Sequence, residues 1–363
     1  MSGIHFKRTA LGESILIIKL SAIGDVIHTL PCLDALRRAK PDARIAWLVQ
    51  APSDQLLRGH PQLDEVLLYP RKEWSAPLGF MRGVAPFRRM LRERRFDAAI
   101  DFQGLTKSGF LAWLSGAPRR IGFGDADGKR EFNGLFINEP VSPAPDEKNI
   151  IKRNLALLRP LGIEAKAREA RAVLQPPDAA LEAIEAFWRE QGLRDGARLI
   201  GLNPGAGWPT KQWPLEHFAR IGARAEREFG RRALIFWGPG EREMAEEIAR
   251  QMQEAGASPV IGPRTSLMEL AALLMRCAAF VAGDTGPLHM AAALGVPCVA
   301  LFGASDGERN GPLSSDSRTL QNCGLDCVPC WKRRCNHSSA FCECMASLHP
   351  DAVFEALRDL LME

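Results

Sequence analysis

The chain alternates short β-branched apolar runs with stretches of helical spacing, and this alternation constrains its fold more than any other feature. The first example is the run at 14–20, which is followed from Val26 by apolar residues at helical spacing. Strands that alternate with helices are typical of parallel sheets with crossover helices. The pattern predicts strands at 15–20, 45–49, 65–68 and 98–101, and then at 199–203, 233–237, 260–261, 279–282 and 298–302.

The length of 363 residues and one break in the pattern indicate two domains. Pro176 and Pro177 stop regular structure, and a new helical pattern begins at Ala179. We predict an α/β protein made of two doubly wound halves that face a cleft. The boundaries are 1–175, 176–349 with a cysteine-rich segment at 323–344, and a final amphipathic helix at 350–363.

Composition narrows the class of protein. A chain with 46% hydrophobic and 25% charged residues is typical of globular proteins. No apolar run reaches the ~18 residues of a membrane span, and the N-terminal residues are too polar for a signal peptide. We therefore expect a cytoplasmic protein whose nine cysteines are reduced or metal-bound rather than bridged.

Charge is distributed unevenly along the chain. The residues through Asp178 include 28 Lys and Arg against 20 Asp and Glu, whereas the remainder has 19 against 23. A basic first half favours an anionic partner, such as a phosphorylated lipid, a nucleic acid or a membrane surface. The alternative is a solvated, arginine-rich face.

Residues 282–291 (AGDTGPLHMA) carry the pattern of an anion site. A predicted strand ends at Ala282, Gly286 permits a tight turn, and Pro287 suits the first turn of a helix. Free backbone amides and the positive dipole end at a helix start bind anions, and Thr285 and His289 add polar side chains. The alternative is that Asp284 and Thr285 only cap the helix.

Two further loops follow predicted strands of the second half. Residues 203–213 (NPGAGWPTKQW) form a glycine-rich loop whose lysine, Lys211, can neutralise phosphate charge, although the spacing is not that of a P-loop. Residues 237–241 (WGPGE) place Glu241 where a carboxylate can accept hydrogen bonds from ribose hydroxyls. No Gly-x-Gly-x-x-Gly follows the first strand, which disfavours a dinucleotide oxidoreductase.

The first half has its own polar cluster after a strand, at 101–108 (DFQGLTKS), followed by basic residues at 119–120 and 129–130. These side chains could bind an acidic acceptor, although basic pairs on a surface are common. They lack the interleaved aromatic residues of nucleic-acid-binding modules, so we expect no nucleic-acid partner.

Six cysteines lie within the 22 residues from Cys323 to Cys344. Four thiolates can coordinate zinc or iron tetrahedrally, and a buried cluster of reduced thiols is the alternative. Spacing favours a structural metal site, with Cys342 or Cys323 as substitutes for one of four ligands: Cys327, Cys330, Cys335 and Cys344.

Several of these segments together resemble glycosyltransferase family 9, the heptosyltransferases of the lipopolysaccharide inner core. The resemblance runs in order through KLSAIGDVIHTLP (19–31), DFQGLTKS, WPTKQW (208–213), GDTGPLHMAAALGVP (283–297) and GASDGERNGP (303–312). It is strongest to the member that adds heptose to the Kdo sugar of lipid A. The family implies the GT-B architecture, with two Rossmann-like domains, and inverting transfer without an obligatory metal.

The resemblance also implies where the substrates bind. The first domain would hold the acceptor, the second would hold ADP-heptose, and the last helix would return to the first domain. Asp25 matches the family's catalytic base, and Lys211 would stabilise charge on the departing ADP. The implied donor-binding residues are Gly205, Thr210, Lys211, Glu241, Asp284, Thr285, Gly286, Leu288 and His289. The implied acceptor-binding residues are Ser21, Gly24, Arg71, Lys72, Gln103, Lys107, Arg119, Arg120 and Arg130.

Two departures leave the acceptor open. Only Arg71 and Lys72 stand where the first inner-core enzyme carries a dense basic run, and that enzyme lacks the cysteine cluster. The acceptor is thus Kdo-lipid A or a core heptose, and contact with the inner membrane would be peripheral. The alternatives are a protein O-heptosyltransferase of the type that modifies autotransporters, and a non-catalytic protein that binds a nucleotide or a metal.

Overall fold

The computed structural model describes residues 13–124, 131–194, 196–336 and 342–362. The chain divides into two compact units, the first ending at Ala172 and the second beginning at Val173, three residues before the predicted boundary. Within the described residues, no helix is both long and apolar enough to cross a membrane.

The first unit contains one parallel sheet of six strands. Its strands are β1 (Ser14–Ile18), β2 (Arg44–Val49), β3 (Glu65–Leu68), β4 (Ala98–Asp101), β5 (Arg119–Phe123) and β6 (Glu139–Val141). Its helices are α1 (Ile23–Ile27), α2 (Leu30–Ala39), α3 (Pro77–Glu93), α4 (Thr106–Ser115) and α5 (Ile150–Ala156). The strand order is β3-β2-β1-β4-β5-β6, which is that of doubly wound nucleotide-binding sheets.

The second unit repeats this topology. Its strands are β7 (Leu199–Asn203), β8 (Ala233–Ile235), β9 (Val260–Ile261), β10 (Cys277–Gly283), β11 (Cys298–Phe302) and β12 (Ser317–Gln321), in the order β12-β11-β10-β7-β8-β9. Its helices are α6 (Asp178–Glu190), α7 (Leu215–Phe229), α8 (Arg242–Glu254), α9 (Leu267–Leu274), α10 (Gly286–Ala293), α11 (Gly307–Asn310), α12 (Glu343–Ala346) and α13 (Pro350–Met362).

Three strands are absent from the sequence prediction: β5, β6 and β12. β6 and β12 are edge strands, whereas β5 lies between β4 and β6. Their sequences are RRIGF, EPV and SRTLQ, so none has the apolar run by which the other strands were found.

The last helix packs against elements of the second unit, and its return to the first domain stays a prediction. The apolar side of α13 belongs to the core of the second unit, with Val353, Phe354 and Leu357 fully buried. Phe354 stacks on Phe229 of α7 with 5.7 Å between ring centroids, and the Arg224 guanidinium lies 3.8 Å from the Phe354 ring centroid. The amphipathic pattern of α13 is therefore satisfied on α7 and the second sheet.

Candidate active site

In both sheets the strand order reverses next to the first strand, and the polar clusters follow the strands that flank this point. The reversal lies between β1 and β4 in the first unit and between β7 and β10 in the second. Loops that leave two such neighbouring strands diverge to opposite faces and open a crevice for a ligand. Parallel pairing of Ala282 with Asn203 brings the two candidate donor loops of the second unit together.

The second unit joins these loops by a buried ion pair. Lys211 Nζ lies 2.6 Å from Asp284 Oδ2, and the side chains of the two residues are 16% and 6% exposed. His289 Nε2 lies 3.0 Å from Asp284 Oδ1. The amide of Asn310, in α11, adds a longer contact of 3.4 Å to Asp284 Oδ2. Asp284 thereby fixes a lysine, a histidine and an asparagine at one strand end.

The protonation state of Asp284 follows from these partners. Burial alone would raise the pKa of its carboxyl, but the His289 ring and the Lys211 ammonium outweigh burial and hold that pKa well below the usual range. The group is therefore a carboxylate at neutral pH, and Lys211 is kept in place by a full negative charge.

Two glycines allow close approach of chain segments at this site. A Cβ on Gly283 would lie 2.5 Å from the carbonyl oxygen of Lys211, so only glycine lets the lysine loop cross the end of β10. A Cβ on Gly205 would lie 2.0 Å from Glu241 Oε2. The Glu241 carboxylate also accepts a hydrogen bond of 2.8 Å from the Gly238 amide, so it lies against the glycine-rich loop, and its contact with ribose stays a prediction.

The start of α10 offers donors without partners. Thr285 Oγ1 is buried and has no hydrogen-bond partner among the described residues, and Ser305 Oγ after β11 is in the same state. The backbone N–H groups in the first turn of a helix have no acceptor within the helix. Pro287 has no N–H group, so the N–H groups in question are those of Gly286 and Leu288. Leu288 is fully buried, its backbone amide included, so it packs the helix start.

Thr210 departs from its predicted role. Its side chain is buried, and its hydroxyl donates a hydrogen bond of 2.7 Å to the Lys332 carbonyl, so that proton is not free for a donor phosphate. Trp208 lies between two cations, with Lys211 Nζ 4.7 Å and Arg333 Cζ 5.3 Å from its ring centroid. The cysteine-rich segment thus supports the lysine loop.

The predicted metal ligands lie around one cavity of about 380 Å³, together with Cys342. Burial, followed by the neighbouring thiols, raises the pKa of Cys342 to about 12 and that of Cys344 to about 11. Thiols with such pKa values are protonated at neutral pH and must lose their protons to bind a metal. Among the described residues, no three His, Cys, Asp or Glu side chains are grouped so as to hold an ion. The described residues therefore do not form the predicted site, and zinc or iron stays a prediction.

In the first unit the predicted base lies on α1, directly after β1. Asp25 Oδ2 accepts a hydrogen bond of 3.0 Å from the Ala22 amide, so this carboxylate also caps the start of α1. Asp25 Oδ1 lies 3.7 Å from Lys19 Nζ, and the side chains of Asp25 and Lys19 are 43% and 5% exposed. Lys19 also donates a hydrogen bond of 3.0 Å to the Phe102 carbonyl. A buried lysine thus orients a carboxylate that remains open to solvent.

Gln103 and Asp101 organise the loop after β4. Gln103 Oε1 accepts the amides of Leu20 and Ser21 at 3.0 and 3.2 Å, so this predicted acceptor residue holds the loop that carries Asp25. Asp101 Oδ1 accepts the Gln103 amide at 3.0 Å. Burial raises the pKa of Asp101 to about 6, although its hydrogen bonds and Lys19 oppose the rise. Ser21 contributes its backbone here, and Gly24 lies within α1 beside Asp25.

Three of the predicted basic residues remain together as a candidate acceptor site. Arg71 and Lys72 are exposed, and Lys107 Nζ lies 5.0 Å from the Tyr69 ring centroid. Burial and then the Arg71 charge lower the pKa of Lys107, so Arg71 and Lys107 share one electrostatic environment. A cluster of like charges favours an anionic ligand.

Arg119 and Arg120 do not join this cluster. Arg119 pairs with Glu139 at 2.7 and 2.8 Å and donates to the Pro160 carbonyl at 2.7 Å. Arg120 donates to the carbonyl oxygens of Phe136 and Ala117 at 2.7 and 2.9 Å. Both guanidinium groups are occupied within their own unit because the two residues open β5. Arg130 lies outside the described residues.

Sequence reasoning missed four residues of these sites: Lys19, Asp101, Trp208 and Asn310. All four lie in segments that carry the family resemblance, but a buried lysine or asparagine has no signal of its own in a single sequence. Lys19 and Asn310 are revealed by their contacts with Asp25 and Asp284, Asp101 by its contact with the Gln103 amide, and Trp208 by its contact with Lys211.

Comparison with known proteins shows similarity to one glycosyltransferase family. The pattern of glycosyltransferase family 9 (heptosyltransferase) matches residues 84–340. The chain is 31% identical to lipopolysaccharide heptosyltransferase 1 of Pseudomonas aeruginosa, over 89% of this chain and 87% of that protein. It is 27% identical to lipopolysaccharide heptosyltransferase 2 of Escherichia coli, over 96% and 99% of the two chains.

The fold also has solved relatives. A heptosyltransferase of Escherichia coli, crystallised with ADP, superposes with a TM-score of 0.72 at 24% identity, covering 96% of this chain and 99% of that one. This similarity confirms the predicted α/β class with two Rossmann-like sheets of the GT-B type.

Proposed function

The chain belongs to glycosyltransferase family 9, and we propose on that basis that it moves a heptose from ADP-heptose to the inner core of lipopolysaccharide with inversion at the anomeric carbon. Two relatives whose names state lipopolysaccharide heptosyltransferase activity support the sugar and the product class. A solved relative crystallised with ADP supports the nucleotide. The acceptor is Kdo-lipid A or a heptose already on the core.

The observation that carries the proposal is the ion pair of Lys211 with Asp284 where the strand order of the second sheet reverses. When the sugar leaves, negative charge develops on the diphosphate of ADP. An ammonium and helix-start amides placed beforehand stabilise that charge without reorganisation. Lys211, the amide of Gly286 and the unpartnered Thr285 hydroxyl are the donors for this task.

In this proposal the loops after β7 and β8 bind the nucleoside end of the donor. Glu241 offers carboxylate oxygens to ribose hydroxyls, and Gly205 leaves the space that the carboxylate fills. The Gly238 amide fixes the orientation of Glu241 at 2.8 Å. These contacts support a nucleoside diphosphate sugar as the donor class.

Asp25 is the proposed general base. An inverting transfer passes through an oxocarbenium-like transition state, and a base must take the proton of the acceptor hydroxyl as the new bond forms. The Ala22 amide and Lys19 fix the carboxylate, and the Asp25 side chain is 43% exposed. Arg71, Lys72 and Lys107 would bind the acidic groups of the acceptor. In this scheme the Lys211 ammonium supplies the charge neutralisation at ADP.

A lipid-linked acceptor would place the enzyme at the cytoplasmic face of the inner membrane in peripheral contact. The thiols around the cysteine cavity would have a structural role, because this segment contacts the lysine loop through Lys332 and Arg333. If the cavity takes up zinc or iron, the metal would reinforce that contact.

Product mass spectrometry tests the proposal. Purified protein is mixed with ADP-heptose and Kdo-lipid A, and a parallel reaction uses lipid that already carries one heptose. We expect one of the two lipids to gain one heptose. Asp25→Asn should lower the rate by ~10²–10⁴-fold, the usual contribution of a general base. Asp42→Asn is the matched control, since Asp42 is an exposed carboxylate of the same unit outside the site.

Full activity of Asp25→Asn would remove Asp25 from the mechanism. If the protein binds ADP-heptose but neither lipid gains a heptose, the acceptor proposal fails and protein acceptors become the next substrates to try. If ADP-heptose does not bind, the proposed donor is wrong.

A further inference from the structure

Five large apolar side chains of the first unit are exposed in the same region. Between 45% and 79% of each is accessible to solvent, and we call them the apolar patch: Leu78, Met81, Trp113, Phe132 and Leu135. Single exposed apolar side chains are ordinary on protein surfaces, whereas a group of them marks an interaction surface. The catalytic scheme above uses none of the five.

Ring contacts show that the patch is continuous. Phe110 of α4 lies 6.3 Å from Phe80 of α3, 5.8 Å from Trp113 and 5.8 Å from Phe136, measured between ring centroids. Leu78 and Met81 flank Phe80 in α3. Phe132 caps the short turn at Asn133–Leu135, and Leu135 ends it just before Phe136. The exposed side chains thus border one aromatic cluster.

Basic side chains extend the patch along α3. Arg82, Arg88 and Arg89 are exposed and follow Met81 at spacings that keep them on one side of the helix. From Arg71 to Arg92 the sequence has six basic residues and one acidic residue, Glu73. A helix with exposed apolar residues beside a row of arginines has the chemistry of an element that lies on an anionic membrane surface.

The patch is also continuous with the candidate acceptor site. Lys107 Nζ lies 5.0 Å from the Tyr69 ring centroid, and Tyr69 contacts Trp74 at 5.5 Å. Trp74 in turn contacts Phe80 at 5.1 Å. A chain of ring contacts therefore runs from the cation that would bind acidic sugars to the exposed apolar residues of α3.

We propose that the apolar patch and the α3 arginines form a docking surface for an anionic lipid bilayer. The proposal rests on the proposed function, since an acceptor anchored in a bilayer gives the surface its use. The apolar side chains insert among acyl chains while the arginines contact lipid phosphates. A second copy of the chain fits less well, because a two-fold contact through this surface would bring the arginines of both copies together.

Vesicle flotation with the full chain tests the proposal without any acceptor. Vesicles of phosphatidylcholine alone are compared with vesicles that also contain phosphatidylglycerol. We expect the protein to float only with the anionic vesicles. Met81→Glu combined with Phe132→Glu should abolish flotation, and each of Arg88→Gln and Arg89→Gln should weaken it about fivefold. Leu313→Glu, at an exposed apolar residue of the second unit, is the control and should float like the parent.

Transfer assays separate this proposal from the enzymatic one. The Met81/Phe132 variant should keep full transfer to an acceptor fragment without acyl chains and lose transfer to acceptor in vesicles. If the parent transfers heptose to no acceptor but floats with anionic vesicles, the proposed function fails and the docking surface stands. Equal flotation of parent and variant would overturn the docking surface. If the parent sediments as a dimer and the Met81/Phe132 variant as a monomer, with flotation unchanged, the patch would be the contact surface for a second copy of the chain instead.

Discussion

Replacement of Asp101 by asparagine should make the first unit more stable at neutral pH. Asp101 Oδ1 accepts the amides of Gln103 and Gly104 at 3.0 and 3.1 Å, and Oδ2 accepts the Ser108 hydroxyl at 2.9 Å. An asparagine oxygen can keep both amide bonds. Its NH₂ can donate to Ser108 Oγ, whose own proton then goes to the Leu105 carbonyl at 2.9 Å. The substitution therefore keeps the hydrogen bonds and removes a buried charge.

The magnitude follows from the pKa of Asp101, which burial raises from 3.8 to about 6. Because the folded protein holds the proton more tightly than the unfolded chain does, stability is lost as the pH rises from 3.8 to about 6. Each pH unit in this window is worth about 1.4 kcal/mol, so the ionised Asp101 lowers the free energy of unfolding by about 3 kcal/mol above the window. Asparagine should recover about that amount at pH ~8 and less than about 1 kcal/mol at pH ~4.

The assay must report on the first unit alone, because two units need not unfold together. Protein is equilibrated at increasing urea concentrations at either of the two pH values above, and is then exposed briefly to deuterium at one common pH. Mass spectrometry of peptides from β1 and β4 gives the fraction unfolded at each urea concentration. Asp42→Asn, at an exposed carboxylate, controls for the change in net charge.

Two results would refute the reasoning. One is an asparagine variant less stable than the parent at pH ~8, which would mean that the carboxylate's hydrogen bonds outweigh its burial. The other is a stability difference that does not change with pH, which would show that Asp101 does not titrate as described. Heptose transfer should persist in the variant, since Gln103 keeps its place.

Three further predictions concern the second unit. Lys211→Gln should lower kcat by ~10²–10³-fold, as loss of a transition-state charge partner does, with steady-state transfer kinetics as the measurement. Thr285→Val should weaken ADP binding about tenfold in calorimetry, whereas Thr285→Ser should bind like the parent, because only valine removes the hydroxyl. Asp284→Asn should lower the free energy of unfolding at pH ~7 by about 3 kcal/mol. Since the folded pKa of Asp284 lies below its usual range, this stabilisation is present above pH ~4 and lost below, so parent and variant should converge in acid in urea titrations.

The sequence predicted strands in both sheets, including the edge strands β3 and β9, because these segments carry short apolar runs. The strands β5, β6 and β12 carry arginine, proline or serine, which periodicity assigns to loops. Helix α13 shows a different limit. Its apolar stripe predicted an amphipathic helix correctly, but a stripe does not say which unit it packs on.

The candidate site was predictable where the pairing of neighbouring strands determines which residues lie together. Lys211 and Asp284 follow β7 and β10, and parallel strands that pair must bring such residues together. It was not predictable where a side chain's hydrogen-bond partner determines whether that side chain is available to a ligand. Arg119 has the charge expected of an acceptor-binding residue, yet its guanidinium is paired with Glu139. The Thr210 hydroxyl donates its hydrogen bond to the carbonyl of Lys332, 122 residues away. Side-chain pairing of this kind leaves no periodic trace in one sequence.

Each unit pairs a buried charge with a more exposed opposite charge, and the sign of the buried charge differs between the units. In the first, the buried partner is the cation Lys19, and the carboxylate of Asp25 is the open group. In the second, the buried partner is the carboxylate of Asp284, and the cation Lys211 is the more open one. Each buried charge fixes the position of its partner, since an unpaired charge in that place would be strongly destabilising. A glycosyl transfer needs one group to accept a proton from the nucleophile and another to neutralise a departing diphosphate. In the proposed mechanism Asp25 is the first of these groups and Lys211 the second. The two pairs differ in position, because Lys19 and Asp25 both follow β1, whereas Lys211 and Asp284 follow two paired strands, β7 and β10.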